Sequence, residues 1–283
     1  MGVMQVVHTI PDLRQALDKA RRTNLSVGLV PTMGCLHDGH LSLIKKAKAE
    51  SAFVVVSIFV NPTQFGPHED FSKYPRTMAD DQALCEKVGA DLIFAPSVEN
   101  FYASNASTWV DVEKISDGLC GTFRPGHFRG VATVVAMLFN AVQPQVAVFG
   151  RKDLQQLAVI QRMVRDLHFP VKIIGHETVR EPNGIALSSR NRYLTPEELK
   201  KAAAIPAALQ VAKKLLHAGE KQSSVILAAV RDHLATEPSI ALQYLAIVNR
   251  ESMEVMETVS AGHCAIALAC HLGKTRLIDN LDL

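Results

Sequence analysis

Phe53-Val54-Val55-Val56-Ser57-Ile58-Phe59-Val60 is the stretch whose reading decides the fold. β-Branched and aromatic residues fill it almost without interruption, so the run predicts a strand buried on both faces. Strands of that kind belong to parallel sheets covered by helices. Upstream, Leu25-Ser26-Val27-Gly28-Leu29-Val30 reads the same way. Between the two, His40 to Glu50 sets Leu41, Leu43, Ile44 and Ala47 at helical spacing. Strand, helix and strand on this scale make a βαβ unit. Downstream the alternation repeats, with a helix over 78–88, a strand over 91–95 and an apolar helix over 130–142 stopped at Pro144. A strand over 146–149, a helix over 154–167 and a strand over 171–175 follow. This order predicts an α/β protein built on a Rossmann-like, doubly wound parallel sheet.

The character changes after Arg180. Thr195-Pro196-Glu197-Glu198 is a helix start, with Thr195 as cap, Pro196 in the first turn and Glu198 at capping-box distance. That helix is expected to run to about His217 and to end at Gly219. A helix over 224–234 and strands over 244–248 and 264–269 complete a smaller α+β domain. The boundary is expected near 178, giving domains 1–178 and 179–283.

Composition narrows the function classes. Of 283 residues, 48% are apolar and 20% charged, a balance that excludes disorder. A net charge of +2 and the lack of interleaved basic and aromatic residues disfavour nucleic acid as a partner. The longest apolar strand-like run is far too short to span a membrane. The N-terminal MGVMQVVHTIPDLRQAL lacks the basic-then-apolar order of a signal peptide. Cys35, Cys85, Cys120, Cys264 and Cys270 are odd in number, irregular in spacing and form no CxxC. This argues against a disulfide framework and for a reducing, cytoplasmic setting.

Several segments carry chemistry. Met33-Gly34-Cys35-Leu36-His37-Asp38-Gly39-His40 follows a predicted strand and opens a helix, where free N–H groups and the positive end of the dipole favour anions. His37 and His40 are three apart, so both project from one side of the first turn. Two imidazoles aimed at one spot can donate to phosphoryl oxygens as charge builds up. One such histidine alone would read as a surface residue at a helix cap. Asn61 and Gln64, directly after the strongest strand, offer uncharged donors and acceptors, although Asn-Pro also closes strands as a turn. Arg124-Pro125-Gly126-His127 precedes the apolar helix and is suited either to an anion or to capping a neighbouring chain end. Gly150-Arg151-Lys152-Asp153 ends a strand, with Lys152 a point charge suited to phosphate and Gln156 three residues past Asp153. Asp80 and Asp81 can hold Mg²⁺ or simply compensate a helix dipole.

In this order the strings PTMGxLHxGH, SIFVNPxQF, YPRT, RPxHFxGV, FGxKDxQQ, LSSRN and TRLIDN resemble the pantothenate synthetases, within the HxGH nucleotidylyltransferase superfamily. The resemblance covers nearly the whole chain. It implies ATP-dependent condensation of pantoate with β-alanine through pantoyl adenylate, releasing AMP and pyrophosphate. It implies ATP contacts at Met33 to His40, Gly150 to Asp153, Val179, and Leu187, Ser188, Ser189 and Arg190. Gln64, Gln156 and Asn61 match pantoate-binding positions, and Gln64 also the β-alanine position. His37, His40 and Lys152 match catalytic positions, and Asp80 and Asp81 an acidic pair near Mg²⁺. It further implies a homodimer and a C-terminal domain closing over the ATP site. Arg151 departs from the family, which often has an acidic residue there. Another HxGH nucleotidylyltransferase and a silent nucleotide-binding module are the competing readings.

Overall fold

A computed structural model describes residues 4–67 and 69–283; the first three residues of the N-terminal stretch read above lie outside it. The chain divides into two compact units. The first comprises Met1–Glu113, Phe123–Arg151 and Val159–His176, the second Lys114–Thr122, Lys152–Ala158 and Glu177–Leu283.

Six strands form the sheet of the first unit: β1 (Gln5–Val7), β2 (Val27–Thr32), β3 (Phe53–Ile58), β4 (Leu92–Phe94), β5 (Val146–Gly150) and β6 (Lys172–His176). All pairings are parallel, in the order β1-β4-β3-β2-β5-β6. The chain lays β3 and β4 to one side of β2, then returns to place β5 and β6 on the other. This is the expected doubly wound topology, and its reversal lies between β2 and β5. Ligands of such sheets bind at the carboxyl ends of the strands at that reversal. Val54, Val55 and Val56 of β3 are wholly buried, as a sheet covered on both faces requires.

Among the described residues, seven α-helices precede β6 in the chain: α1 (Ile10–Arg22), α2 (Asp38–Glu50), α3 (Met78–Lys87), α4 (Val98–Phe101), α5 (Cys120–Phe123), α6 (His127–Val142) and α7 (Leu154–Asp166). α6 is apolar on nearly every side, and such a helix belongs in the interior. It stops where Gln143 turns left-handed at φ 47° and its N–H returns to Phe139 O at 2.7 Å; Pro144 bars continuation. β1 and α1 lie outside the elements expected from the sequence. β1 is only three residues long, too short for a periodic signal. α1 did carry one: Thr9 caps it, Pro11 follows, and Leu13, Leu17 and Ala20 are buried on one stripe.

The second unit holds α8 (Pro196–Lys201), α9 (Ala204–His217) and α10 (Ser223–Ala235) with a sheet of β7 (Ile240–Asn249), β8 (Cys264–Leu272) and β9 (Thr275–Asp282). The sheet is antiparallel throughout. Its core joins Leu209, Ile226, Val230, Ile247, Ile266 and Leu268. The capping box at Thr195 forms: its Oγ1 accepts from Glu198 N at 3.2 Å, and Glu198 accepts from Thr195 N at 2.8 Å. The single helix expected from there to His217 is instead two. Pro206 supplies the reason, because a helix continuous through Ala202 would drive the proline ring into that residue's carbonyl. The break at Ala202 and Ala203 puts Pro206 in the first turn of α9, where no N–H is needed.

Gln155 ties the two short segments of the second unit together. Its Nε2 donates to Ile115 O at 2.9 Å and Gly118 O at 2.8 Å, and its Oε1 accepts from Cys120 N at 3.0 Å. Among the described residues no helix is long and apolar enough to cross a membrane.

Candidate active site

The histidine turn begins at the carboxyl end of β2. Gly34 stands at φ +78° and Cys35 at φ +51°, a left-handed pair that reverses the chain. A side chain at Gly34 would meet Asp81 Oδ2 at 2.9 Å and Ile58 at 3.0 Å. Gly34 is therefore required by its left-handed backbone and its own protein neighbours. Asp81, on α3, is 1% exposed, and its two oxygens accept from Cys35 N at 2.9 Å and Leu36 N at 2.7 Å. The carboxylate thus serves as an internal anion for the loop's amides.

His37 is the N-cap of α2 and His40 its third residue. His37 Nδ1 accepts from Gly39 N at 3.1 Å, and His40 Nδ1 accepts from His37 N at 3.3 Å. The rings lie 4.1 Å apart between centroids. Each Nδ1 is engaged as an acceptor, so in both neutral rings the proton sits on Nε2. The pair is a reciprocal capping box made of imidazoles, with its N–H donors on the far ring nitrogens.

Asn61 and Gln64 follow β3. Asn61 is 1% exposed, and both ends of its amide are engaged. Its Nδ2 donates to Gln64 Oε1 at 3.1 Å and Gly130 O at 3.2 Å. Its Oδ1 accepts from Tyr102 Oη at 2.9 Å and Thr63 Oγ1 at 3.0 Å. Gln64 Nε2 is thereby turned toward Met33 Sδ, at 3.0 Å. Burial raises the Tyr102 phenol above its ordinary value, against the opposing bond from Thr63, and keeps it a neutral donor.

Arg124 and His127 cap a chain end, the second of the two roles open to them. Gln64 O accepts from Arg124 Nη2 at 3.2 Å and from His127 Nδ1 at 2.8 Å. His127 Nδ1 therefore carries the proton, and its Nε2 accepts from Arg124 Nη1 at 3.0 Å. Glu69 takes Arg124 in a fork, both bonds at 2.6 Å. Burial pushes Glu69 up, but the Arg124 hydrogen bond and charge outweigh it and hold the carboxyl below its ordinary 4.5. Gly130 brings α6 against the same turn, since a side chain there would strike the Thr63 carbonyl and reach Gln64 N at 2.8 Å. Arg124, His127 and Gly130 show in the sequence only as members of the RPxHFxGV string, with no signal for the partner, and Glu69 and Tyr102 belong to no motif.

Gly150 ends β5, with open space where a side chain would stand. Arg151 Nε donates to Gly175 O at 3.3 Å. In the second unit, Lys152 Nζ lies 3.6 Å from Asp153 Oδ2, and Gln156 is half-buried in the first turn of α7. Val179 O accepts from Leu187 N at 3.0 Å, and Ser188 Oγ accepts from Arg190 N at 3.3 Å at the start of a 3₁₀ turn over Ser189–Tyr193. Asp279 holds the Arg180 guanidinium, and its hydrogen bond and charge keep that cation firmly protonated against the effect of burial.

Residues 5–282 match the model of the pantoate–β-alanine ligase family. The chain belongs to this family. A pantothenate synthetase from Thermoanaerobacter sp. (strain X514) is 52% identical over 278 residues, 98% of each chain. One from Moorella thermoacetica is 49% identical over 280 residues, 99% of each chain. The crystal structure of a pantothenate synthetase from Thermus thermophilus superimposes with a TM-score of 0.94 at 48% identity over 99% of both chains. That of a pantoate–β-alanine ligase from Francisella tularensis, complexed with β,γ ATP and β-alanine, gives 0.80 at 32% identity over 99% of this chain and 97% of that one. As a member of the pantoate–β-alanine ligases, the chain is an enzyme.

Proposed function

We infer that this ligase joins pantoate to β-alanine at the expense of ATP, through an acyl adenylate. Membership of the family along nearly the whole chain carries this reading. A pantoate carboxylate oxygen attacks the α-phosphorus, and the bond from that phosphorus to the bridging oxygen breaks, releasing pyrophosphate. The neutral amine of β-alanine then attacks the acyl carbon. The bond to the AMP oxygen breaks, and the nitrogen gives up a proton as the amide forms. The first step needs negative charge stabilised around phosphorus more than it needs covalent help. His37 and His40 suit this, because their capping bonds present Nε2–H donors at fixed positions. Lys152 adds a compact positive charge for phosphate. Met33 to His40, Gly150 to Asp153, Val179 and Leu187 to Arg190 are assigned to ATP, and Gln64 and Gln156 to pantoate. Gln64 is also assigned to β-alanine. Asn61 acts through Gln64, since its own amide is engaged by protein groups.

Asp80 and Asp81 do not fit a metal cage. Both oxygens of Asp81 hold amides, Asp80 is exposed, and no cluster of three or more ligating side chains occurs among the described residues. Mg²⁺ is assigned to the nucleotide phosphates it accompanies, and no step is routed through it. The homodimer implied by the resemblance is retained, and sedimentation tests it.

Enzyme, Mg²⁺-ATP and pantoate without β-alanine should release pyrophosphate in amounts matching the enzyme. AMP turnover should begin only when β-alanine is added. Pyrophosphate release independent of pantoate would reject the reading in favour of a different nucleotidyl acceptor.

A further inference from the structure

The terminal motif Thr275-Arg276-Leu277-Ile278-Asp279-Asn280 belongs to the family likeness, yet no step above uses it. It lies on β9, where successive side chains point to opposite faces. Asp279 and Asn280 are both buried, at 4% and 8% exposure. Adjacent buried polar groups facing opposite ways need two separate sets of partners. Asp279 receives both arms of Arg180, at 2.7 and 2.9 Å. The same guanidinium donates to Gly184 O at 2.9 Å and Asn280 O at 3.3 Å. This closes a small hairpin in which Glu181 N meets Ile185 O at 2.8 Å and Leu187 N meets Val179 O at 3.0 Å. On the other face, Asn280 Nδ2 donates to Lys152 O at 2.8 Å. Arg276, four residues earlier on that face, donates to Gln243 Oε1 at 2.9 Å.

We propose that Asp279 and Asn280 are positioning residues of the adenylation step. Asn280 sets the backbone from which Lys152 reaches phosphate, and Asp279, through Arg180, sets the hairpin carrying Val179 and Leu187. The proposal rests on the assignment of Lys152 and of that hairpin to ATP. A lysine side chain has four rotatable bonds, so the placement of its backbone decides where the ammonium can go. A paired strand is a firmer anchor for that backbone than a loop. A misplacement of about 1 Å can lower a rate by about 100-fold.

The test uses the full chain and follows pantoate-dependent pyrophosphate release. Asn280→Ala should lower kcat by about 10- to 100-fold, with KM for pantoate changed less than about twofold. In a Lys152→Ala background the same substitution should cost less than about twofold, because the group it positions is gone. Losses that multiply in the double variant would reduce Asn280 to a general structural residue and overturn the proposal. So would near-normal turnover of Asn280→Ala beside an inactive Lys152→Ala. Full activity of Lys152→Ala would remove the assignment of Lys152, and the role of Asn280 with it. If Asn280→Ala does not fold, Asn280→Asp keeps the shape, replaces the donor by an acceptor, and should show the same kcat loss. Asp279→Asn should raise KM for ATP about tenfold while KM for β-alanine stays within about twofold. A parallel rise in both would sink the Asp279 half.

Discussion

The His37–His40 turn and the Lys152 turn are both assigned to phosphate, yet they are held in opposite ways. The histidine pair is set by bonds two and three residues long, in which each ring caps the same helix end. Lys152 has its carbonyl held by Asn280, 128 residues further along. The Gln64 turn resembles Lys152 in this respect, because its carbonyl is held by Arg124 and His127, 60 and 63 residues away. A locally capped turn keeps its geometry wherever the helix forms. A remotely held turn is only as good as the packing that delivers its partner.

Substitutions can separate these two modes. His40→Ala should have the largest effect, a loss of more than about 100-fold in pantoate-dependent pyrophosphate release, as for a missing transition-state donor. His37→Asn sharpens the comparison. Its amide oxygen can replace the Nδ1 acceptor, so thermal stability should hold while adenylation falls by about 100-fold. A stable and active His37→Asn would show that the turn is only a cap. Gly130→Ala should break the remote mode by pushing α6 off Thr63 and Gln64. Overpacking of this kind costs about 1–3 kcal/mol, read by denaturant melts, and KM for pantoate should rise with it.

Glu69→Gln should have a smaller effect, about 1 kcal/mol, because a partly exposed pair is screened by solvent. Its pH dependence has a definite sign. A carboxyl lowered in the folded state stabilises above its unfolded value, and that contribution is lost as pH falls through the folded value. The wild type should therefore lose this stability in acid, below the ordinary 4.5, and Glu69→Gln should show a shallower acid limb in stability titrations. Arg151→Glu should matter least. The Arg151 side chain is directed to Gly175 O, so within the segment assigned to ATP it counts through its backbone, and KM for ATP should change by less than about threefold.

Much of the fold is legible because its signals are short-range. β3 announces itself by composition, α8 by its capping box and α6 by unbroken apolarity. β9 is not legible, since Arg276, Asp279 and Asn280 break up its apolar pattern and a two-residue Gly273-Lys274 turn joins it to β8. The split between α8 and α9 has only Pro206 as its mark, within a run that is otherwise helical in pattern. In the candidate site, residues assigned to ligands stand out as unusual types at helix starts and strand ends. Their supports look ordinary, and Gln155 and Tyr102 gain meaning only from what they touch.

The sequence by itself determined the alternation of strands and helices, the place of the histidine turn at a helix start, and through the order of its motifs the ligase family. These depend on neighbours within a few residues, or on resemblance. Only the tertiary structure decided that residues 114–122 and 152–158 fall with the C-terminal unit. It alone turned Asp81 from a possible metal ligand into the anchor of a loop, and gave the last strand its hold on Lys152. Hydrogen bonds across such separations depend on how the whole chain packs, and no local pattern records them.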